Sequence, residues 1–261
     1  MRRLYLILML ILLVACDADS AKRIIAQPSP TVNPPAEIVP TNPVSPPVPV
    51  SDADWEQLES GIEYRQFGSL PDLVHVVRID PAQFRVRVLY DVNDAGRVSE
   101  WANAANTVAV VNGGYFDPQG RATALTIFDG VIYGTSYDGF GGMFSVDLNG
   151  TVQLRSLREQ PYDSSEEFAQ ALQSSPMLVL HGAAVDQPND DGDVARRSVI
   201  ALDTSGRILL IASNWQTFTL TQLAQWLVDQ PLDIDNALNL DGGSSTGLVV
   251  KTEQKSFTVD S

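Results

Sequence analysis

The chain has 261 residues, of which 44% are hydrophobic, so it can build one good-sized core but not two. Its 17 basic and 32 acidic side chains give a formal net charge of -15, and no stripe of basic residues could follow a nucleic-acid backbone. These numbers exclude nucleic acid as an expected partner, while sugars and small phosphoesters remain open as ligands.

The N-terminal residues have the pattern of a bacterial lipoprotein signal peptide. Arg2 and Arg3 form a basic start, residues 4–13 are almost all aliphatic, and small residues stand directly before Cys16. A transmembrane anchor is the alternative, but the apolar run is shorter than the roughly 20 residues that span hydrocarbon. We therefore expect residues 1–15 to be removed and Cys16 to carry a lipid that holds the protein on the extracytoplasmic face of the cell membrane.

Residues 16–54 are predicted to form a lipid-anchored, proline-rich tether. Most prolines of the chain lie between residues 20 and 50, and no aromatic residue stands among them. Such a stretch cannot bury enough apolar surface to become ordered, and its prolines favour extended geometry. The folded domain is therefore expected to span residues 55–261. Because Cys16 is the only cysteine, an intrachain disulfide and a thiolate zinc site are excluded.

Strand patterns dominate the folded domain. Residues 74–79 and 84–90 are predicted strands, the second because apolar side chains alternate with Arg85 and Arg87, and we expect the two to pair as a hairpin. Four more hairpin turns are predicted at dipeptides that tolerate positive φ, namely Asp129-Gly130, Asn149-Gly150, His181-Gly182 and Ser205-Gly206. The predicted fold class is α+β, with a mainly antiparallel or mixed β-sheet and a few packed helices in a single domain.

Three helices are predicted, around residues 100–105, 165–172 and 220–228. The last has the clearest signals, because Thr219 can cap it with Gln222 three residues on, and its leucines and alanine recur on one face. The chain stops directly after an apparent strand at residues 257–261. We expect a final strand to follow.

Three apolar strands have a polar segment at one end, and two of these segments contain a pair of glycines. The first strand covers residues 108–111. It is followed by Asn112-Gly113-Gly114-Tyr115-Phe116-Asp117. Two glycines let the backbone turn sharply and approach a ligand, while Asn112 offers both a donor and an acceptor. An ordinary turn is the structural alternative.

The second segment places Arg196, Arg197 and Ser198 at the start of the apolar strand 199–202. A planar guanidinium suits two-pronged contact with a phosphate. The alternative is a solvated charge pair that balances the three aspartates just upstream.

The third segment follows the apolar residues 237–240 and reads Asp241-Gly242-Gly243-Ser244-Ser245. Asp241 could hold a water or a metal ion, and it could equally cap a turn. Convergent polar groups at strand ends are a common way to build a site, so we expect the three segments to meet in one cleft.

The order and approximate spacing of these motifs resemble the phosphodiester glycosidase family. The resemblance is carried by NGGYFD at 112–117, the apolar strand SPMLV at 175–179, RS at 197–198 and NLDGGSST at 239–246, and it covers about residue 74 to the C-terminus. It implies a hydrolase that cleaves the sugar-phosphate bond of glycosyl 1-phosphodiesters. Together with the signal peptide, it predicts an extracytoplasmic enzyme that acts on envelope or environmental glycans. One departure is Ser244, where the family often has a third glycine.

The chemistry of a sugar 1-phosphodiester suggests roles for these residues. Its leaving group is a phosphate monoester, so an arginine clamp could replace a strong general acid, and a carboxylate would activate water or stabilise the sugar carbon. Asp241 is the first candidate carboxylate and Asp117 the second, while the resemblance to the family implies that Arg196 is dispensable. The catalytic residues are expected to be Asp241, Arg197 and Asn112, and the substrate-binding residues Gly113, Gly114, Tyr115, Asp117, Ser198, Asn239, Gly242, Gly243, Ser244 and Ser245.

Other groups are given no catalytic role. His75 is expected to be a strand residue and His181 a turn residue. No cofactor is assigned, and a requirement for a divalent metal ion stays open.

A non-catalytic envelope lipoprotein that binds a glycan or phosphoglycan is the alternative function. Convergence of Asp241 with the arginine clamp favours catalysis. A cleft dominated by exposed aromatic residues such as Tyr115, Tyr137 or Trp215, without a nearby carboxylate, favours binding.

Overall fold

The computed structural model describes residues 55–93, 96–104 and 107–260. The expected signal peptide, the lipidated Cys16 and the tether up to residue 54 lie outside these ranges. The described part consists of three β-sheets and two α-helices, α1 (Val98–Ala104) and α2 (Leu220–Asp229). No helix in these ranges has the length and apolar character needed to span a membrane.

The largest sheet has eight strands. In spatial order, with strands numbered along the chain, they are β1 (Glu56–Glu59), β2 (Ile62–Phe67), β3 (Val74–Ile79), β13 (Ile208–Ser213), β12 (Ser198–Asp203), β14 (Ile234–Asn239), β10 (Met177–Leu180) and β11 (Ala183–Ala184). All neighbouring strands in it run antiparallel.

Two smaller sheets complete the domain. The five-stranded sheet has the order β6 (Val131–Tyr133), β5 (Thr126–Phe128), β9 (Phe168–Ser174), β7 (Gly142–Asp147) and β8 (Val152–Ser156). The three-stranded sheet has the order β16 (Ser256–Val259), β15 (Leu248–Lys251) and β4 (Ala109–Val111). Their pairings are also antiparallel, which confirms the predicted α+β class with a mainly antiparallel sheet.

The central strands of the largest sheet contribute to two cores, because successive side chains point to opposite faces. On β12, Val199 and Ala201 pack with helix α2, whereas Ile200 packs with residues of the two smaller sheets. Two of the three predicted site segments, at the ends of β12 and β14, therefore leave a sheet that is packed on both faces.

Helix α2 forms as its sequence signals predict. Thr219 Oγ1 accepts from the N–H of Gln222 at 3.2 Å, and Gln222 Oε1 accepts from the N–H of Thr219 at 3.0 Å, so the capping box is complete. Leu223, Ala224 and Leu227 form its buried face. The first predicted helix is also confirmed, as α1.

All four dipeptide turns connect antiparallel strand pairs. They join β5 to β6, β7 to β8, β10 to β11, and β12 to β13. Asp129 and Gly130 have φ of 48° and 80°, as a two-residue hairpin with two positive φ values requires.

The helix predicted for residues 165–172 is wrong. The chain forms β9 here, between β5 and β7 in the five-stranded sheet. The buried side chains of Gln170 and Gln173 find partners across the sheet, on Asp129 and on the backbone N–H of Tyr137. Pairing on both edges thus overrides the helical preference of the local sequence.

The hairpin predicted between residues 74–79 and 84–90 is also wrong. Strand β3 is buried along its whole length and pairs with β2 on one edge and β13 on the other, so no edge remains for residues 84–90. Those residues form no strand, although Phe84 and Val86 still pack against the main core. The alternating pattern therefore predicts correctly which of these side chains are partly buried, but it does not identify the element against which they pack.

Candidate active site

The three predicted segments meet around the side chain of Asn112. Its Nδ2 donates to the carbonyl oxygen of Asp241 at 2.7 Å, and its Oδ1 accepts from Ser198 Oγ at 2.6 Å and from the N–H of Gly247 at 3.1 Å. The N–H of Asp241 also donates to the carbonyl oxygen of Gly113 at 3.1 Å. One side-chain amide thus connects the ends of β4, β12 and β14.

These hydrogen bonds bear on the expected role of Asn112. An asparagine amide offers two donors and two acceptor positions. Here Oδ1 accepts twice, and Nδ2 donates to Asp241 with a longer contact of 3.3 Å to the carbonyl oxygen of Gly113. The geometry therefore favours a positioning role for Asn112 over the direct catalytic role expected from the sequence.

Asp241 presents a carboxylate from a fixed backbone. Its N–H and C=O groups are held by Gly113 and Asn112, and its Oδ1 accepts from the N–H of Gly242 at 2.9 Å. Among the residues that the structure describes, no group donates to Oδ2. The partly buried carboxylate therefore keeps one oxygen for a ligand or a water.

The glycine turn after Asp241 approaches the backbone of Arg196 closely. A Cβ atom on Gly242 would lie 2.8 Å from the carbonyl oxygen of Arg196, and the N–H of Gly243 donates to that same oxygen at 2.9 Å. Gly243 has φ of 60°, whereas Ser244 is not among the residues with positive φ. Serine therefore fits the position where the family often has a third glycine.

Arg197 lies beside this turn, with its guanidinium held by backbone carbonyls. Its Nε donates to Phe218 at 3.0 Å and its Nη2 to Asp193 at 2.9 Å. Within the described ranges it forms no ion pair with a carboxylate, so the predicted alternative of a surface charge pair does not describe it. The side chain is positioned by protein dipoles, and its charge remains available to an anion.

Arg196 has a different function in the structure. Its Nη2 donates to the carbonyl oxygens of Thr246 at 3.0 Å and Asp260 at 3.1 Å, and burial lowers the pKa of its guanidinium. Because its own carbonyl also accepts from Gly243, Arg196 supports the turn from two directions. The expectation that Arg196 is dispensable overlooks this bracing.

Tyr115 and Asn239 form a polar layer behind Asp241. The hydroxyl of Tyr115 donates to the carbonyl oxygen of Ser175 at 2.8 Å and accepts from Asn239 Nδ2 at 2.9 Å. Burial raises the pKa of Tyr115, and the negative charge of Asp241 raises it further. Tyr115 is thus a neutral wall of the site, and the buried Asn239 braces it.

Asp117, the second candidate carboxylate, caps a turn instead of facing the site. It accepts from the N–H groups of Arg121 and Gln119 and pairs with the guanidinium of Arg121 at 2.7 Å. Hydrogen bonds from Arg121 hold the pKa of Asp117 below its ordinary value. The bond from the backbone N–H has the larger effect, and the bond from the side chain comes second. Asp117 therefore serves the turn and is not a candidate general base.

The two histidines lie where the sequence predicts. His75 is buried in β3, between the hydroxyl of Tyr64 at 2.7 Å and Asn214 Oδ1 at 3.1 Å, and burial lowers its pKa. His181 occupies the turn between β10 and β11, where it contacts Glu159.

Part of the candidate site lines a cavity of about 590 Å³ whose walls are mostly apolar, whereas Arg197, Ser198, Asn239, Gly242 and Gly243 are not in its wall. The predicted site residues in its wall are Asn112, Gly113, Gly114, Tyr115, Asp241, Ser244 and Ser245. Gly114 passes close to β9, since a Cβ atom there would lie 2.8 Å from the carbonyl oxygen of Gln173. In the ranges given above, no group of three or more His, Cys, Asp and Glu side chains could hold a metal ion.

Comparison with known proteins gives three kinds of match. A family model described as phosphodiester glycosidase matches residues 105–260. Human N-acetylglucosamine-1-phosphodiester alpha-N-acetylglucosaminidase is 26% identical over 185 residues, which cover 62% of this chain and 36% of the human protein. The bovine protein of the same name is 24% identical over 188 residues, with 62% and 35% covered. The chain therefore spans about a third of the length of these relatives.

Two solved structures share the fold. The catalytic domain of the zebrafish enzyme of that name, auto-inhibited by its pro-peptide, superposes with a TM-score of 0.58 at 22% identity and covers 75% of each chain. A hypothetical protein from Synechocystis superposes with a TM-score of 0.52 at 17% identity, covering 76% of this chain and 59% of the other.

Proposed function

Because the chain belongs to the phosphodiester glycosidase family, we propose that it hydrolyses the bond between sugar and phosphate in glycosyl 1-phosphodiesters. The observation that carries this proposal is the meeting of Asp241 and Arg197 at Gly242. The N–H of Gly242 binds the carboxylate of Asp241, and its Cβ position lies 3.8 Å from Arg197 Cδ. Besides burial, the charges of Asp241 and Arg197 both act on the hydroxyl of Tyr115, Asp241 raising its pKa and Arg197 lowering it. A carboxylate and a guanidinium therefore lie within electrostatic reach of one group, which favours catalysis over binding alone.

The proposed reaction gives Arg197 and Asp241 separate tasks. Arg197 holds the phosphate, and the bond between the anomeric carbon and the phosphate oxygen breaks with its electron pair going to that oxygen. Asp241 stabilises the positive charge that develops on the sugar and accepts the proton of the attacking water. The phosphate monoester leaves without needing a proton, so no second acid is required.

A panel of glycosyl 1-phosphodiesters tests this function. We expect the purified domain to release free sugar from at least one diester of N-acetylglucosamine, mannose, glucose or galactose, measured by chromatography. The matching methyl glycosides, which lack phosphate, should remain intact because Arg197 has nothing to hold. Binding of these diesters without release of sugar from any of them would contradict the proposal and support the glycan-binding alternative.

We propose further that the substrate is a glycan of the cell envelope or of the environment, reached from the extracytoplasmic face of the membrane. This location rests on the signal-peptide pattern that ends at Cys16. Mass spectrometry of the membrane fraction should find an acylated peptide that begins at Cys16. An unmodified peptide that begins at Met1, as the main species, would contradict the anchor without affecting the proposed reaction.

A further inference from the structure

Two aromatic side chains lie in the loop between β6 and β7, near the candidate site. The rings of Tyr137 and Phe140 stack with centroids 4.5 Å apart and an interplanar angle of 24°. Tyr137 packs against the small core of the five-stranded sheet, whereas Phe140 is 48% exposed. We call these two residues the aromatic platform.

The loop that carries the platform is held by buried contacts. Gln173, which is fully buried, accepts from the N–H of Tyr137 at 2.8 Å and donates to Ser136 Oγ at 2.9 Å. At the other end, the carbonyl oxygen of Gly141 accepts from the N–H of Leu157 at 3.1 Å. The exposed ring of Phe140 is therefore presented on a fixed backbone, so a ligand would lose little free energy in ordering it.

The platform is connected to the wall of the candidate site. The Cβ position of Gly141 lies 3.1 Å from the ring of Tyr137 and 3.2 Å from Ser175 Cβ, and the carbonyl oxygen of Ser175 binds the hydroxyl of Tyr115. Tyr137 also contributes to the raised pKa of Tyr115, after burial and Asp241. The platform thus lies next to Ser175 on the Tyr115 side of the site, although its two rings are not in the wall of the cavity.

We propose that the aromatic platform is a carbohydrate subsite that binds the apolar face of the substrate's pyranose ring; this rests on the proposed function. One face of a pyranose presents C–H groups that can cover the exposed ring of Phe140 and remove it from water. The exposed carboxylate of Asp138, between the two rings in sequence, can accept from sugar hydroxyls. Its negative charge disfavours the phosphate here, which leaves that group to Arg197.

Binding of neutral methyl glycosides tests the subsite without requiring hydrolysis. The probes are the methyl α-glycosides of N-acetylglucosamine, mannose, glucose and galactose, and binding is followed by saturation-transfer NMR with titration. We expect at least one probe to bind the natural protein, Phe140→Ala to weaken that binding by about tenfold, and Phe140→Trp to restore it. Ile132→Ala, which removes an exposed apolar side chain from the edge strand β6 that precedes the loop, is the matched control and should bind normally.

The outcomes separate this proposal from the proposed reaction. If the natural protein binds none of the four glycosides, or if Phe140→Ala binds them as well as the natural protein, the subsite is wrong whatever the hydrolysis assay shows. If Phe140→Ala alone loses binding, the subsite holds even where no diester is cleaved. Where a diester is cleaved, the subsite also predicts about a tenfold rise in KM for Phe140→Ala, with kcat nearly unchanged.

Discussion

Asp241→Asn is expected to lower kcat on a glycosyl 1-phosphodiester by on the order of a thousandfold, which is the range of a lost acid-base or electrostatic group. Asparagine keeps an acceptor for the N–H of Gly242, and the backbone contacts with Gly113 and Asn112 do not depend on the side chain. The variant should therefore fold normally. Steady-state kinetics and thermal melts of the same preparation measure the two effects separately.

Asp147→Asn is the matched control for the loss of one carboxylate. Asp147 accepts backbone N–H groups in the turn between β7 and β8, so this change also neutralises a hydrogen-bonded aspartate. We expect its kcat to remain within about twofold of the natural protein, since the group lies in a turn without a proposed role. Turnover in Asp241→Asn equal to that of the natural protein would remove Asp241 from the mechanism.

Arg197→Lys is expected to reduce kcat by about a hundredfold, the effect typical of a lost transition-state donor. Lysine keeps the positive charge, but one ammonium group cannot reproduce the fork that contacts Phe218 and Asp193 and still offers two donors to a phosphate. The loss should appear in kcat more than in KM, because charge on the phosphate increases as the bond breaks. Kinetics on the diester that the natural protein cleaves best measures it.

The control for Arg197 must be an arginine without a role in the site. Arg196 is unsuitable, because it braces the turn after Asp241 through Thr246 and Asp260. Arg158→Lys, on the exposed turn after β8, makes the same chemical change and should leave turnover unaltered. Equal losses in the Arg158 and Arg197 variants would show that general electrostatics, and not a fixed clamp, explains the effect.

Local signals predicted the parts of the fold that local interactions determine. The hairpin dipeptides and the capping box at Thr219 specify turns and a helix start from a few neighbouring residues, and all of them form. The errors at residues 84–90 and 165–172 have a different cause. Which strand pairs with β3, and whether residues 168–174 are placed between two strands, depends on segments distant in the chain.

In the candidate site, too, the sequence predicted some features and missed those that depend on residues distant in the chain or on backbone groups. Convergence of the strand ends followed from their shared pattern, and the structure brings Asn112, Ser198 and Asp241 together. The sequence did not distinguish a carboxylate that faces a ligand from one that caps a turn, as Asp117 does, because nearby backbone N–H groups decide this. The bracing by Arg196 was missed for the same reason, since its partners are carbonyl oxygens that carry no sequence signal.

The most direct test of the proposed function is hydrolysis of a glycosyl 1-phosphodiester in water enriched in oxygen-18, with both products analysed by mass spectrometry. Attack at the sugar carbon, with Arg197 on the leaving phosphate and Asp241 beside the sugar, predicts that the heavy oxygen enters the anomeric hydroxyl of the released sugar and that the phosphate monoester remains unlabelled. Heavy oxygen in the phosphate would mean cleavage at phosphorus, and it would contradict the proposed function.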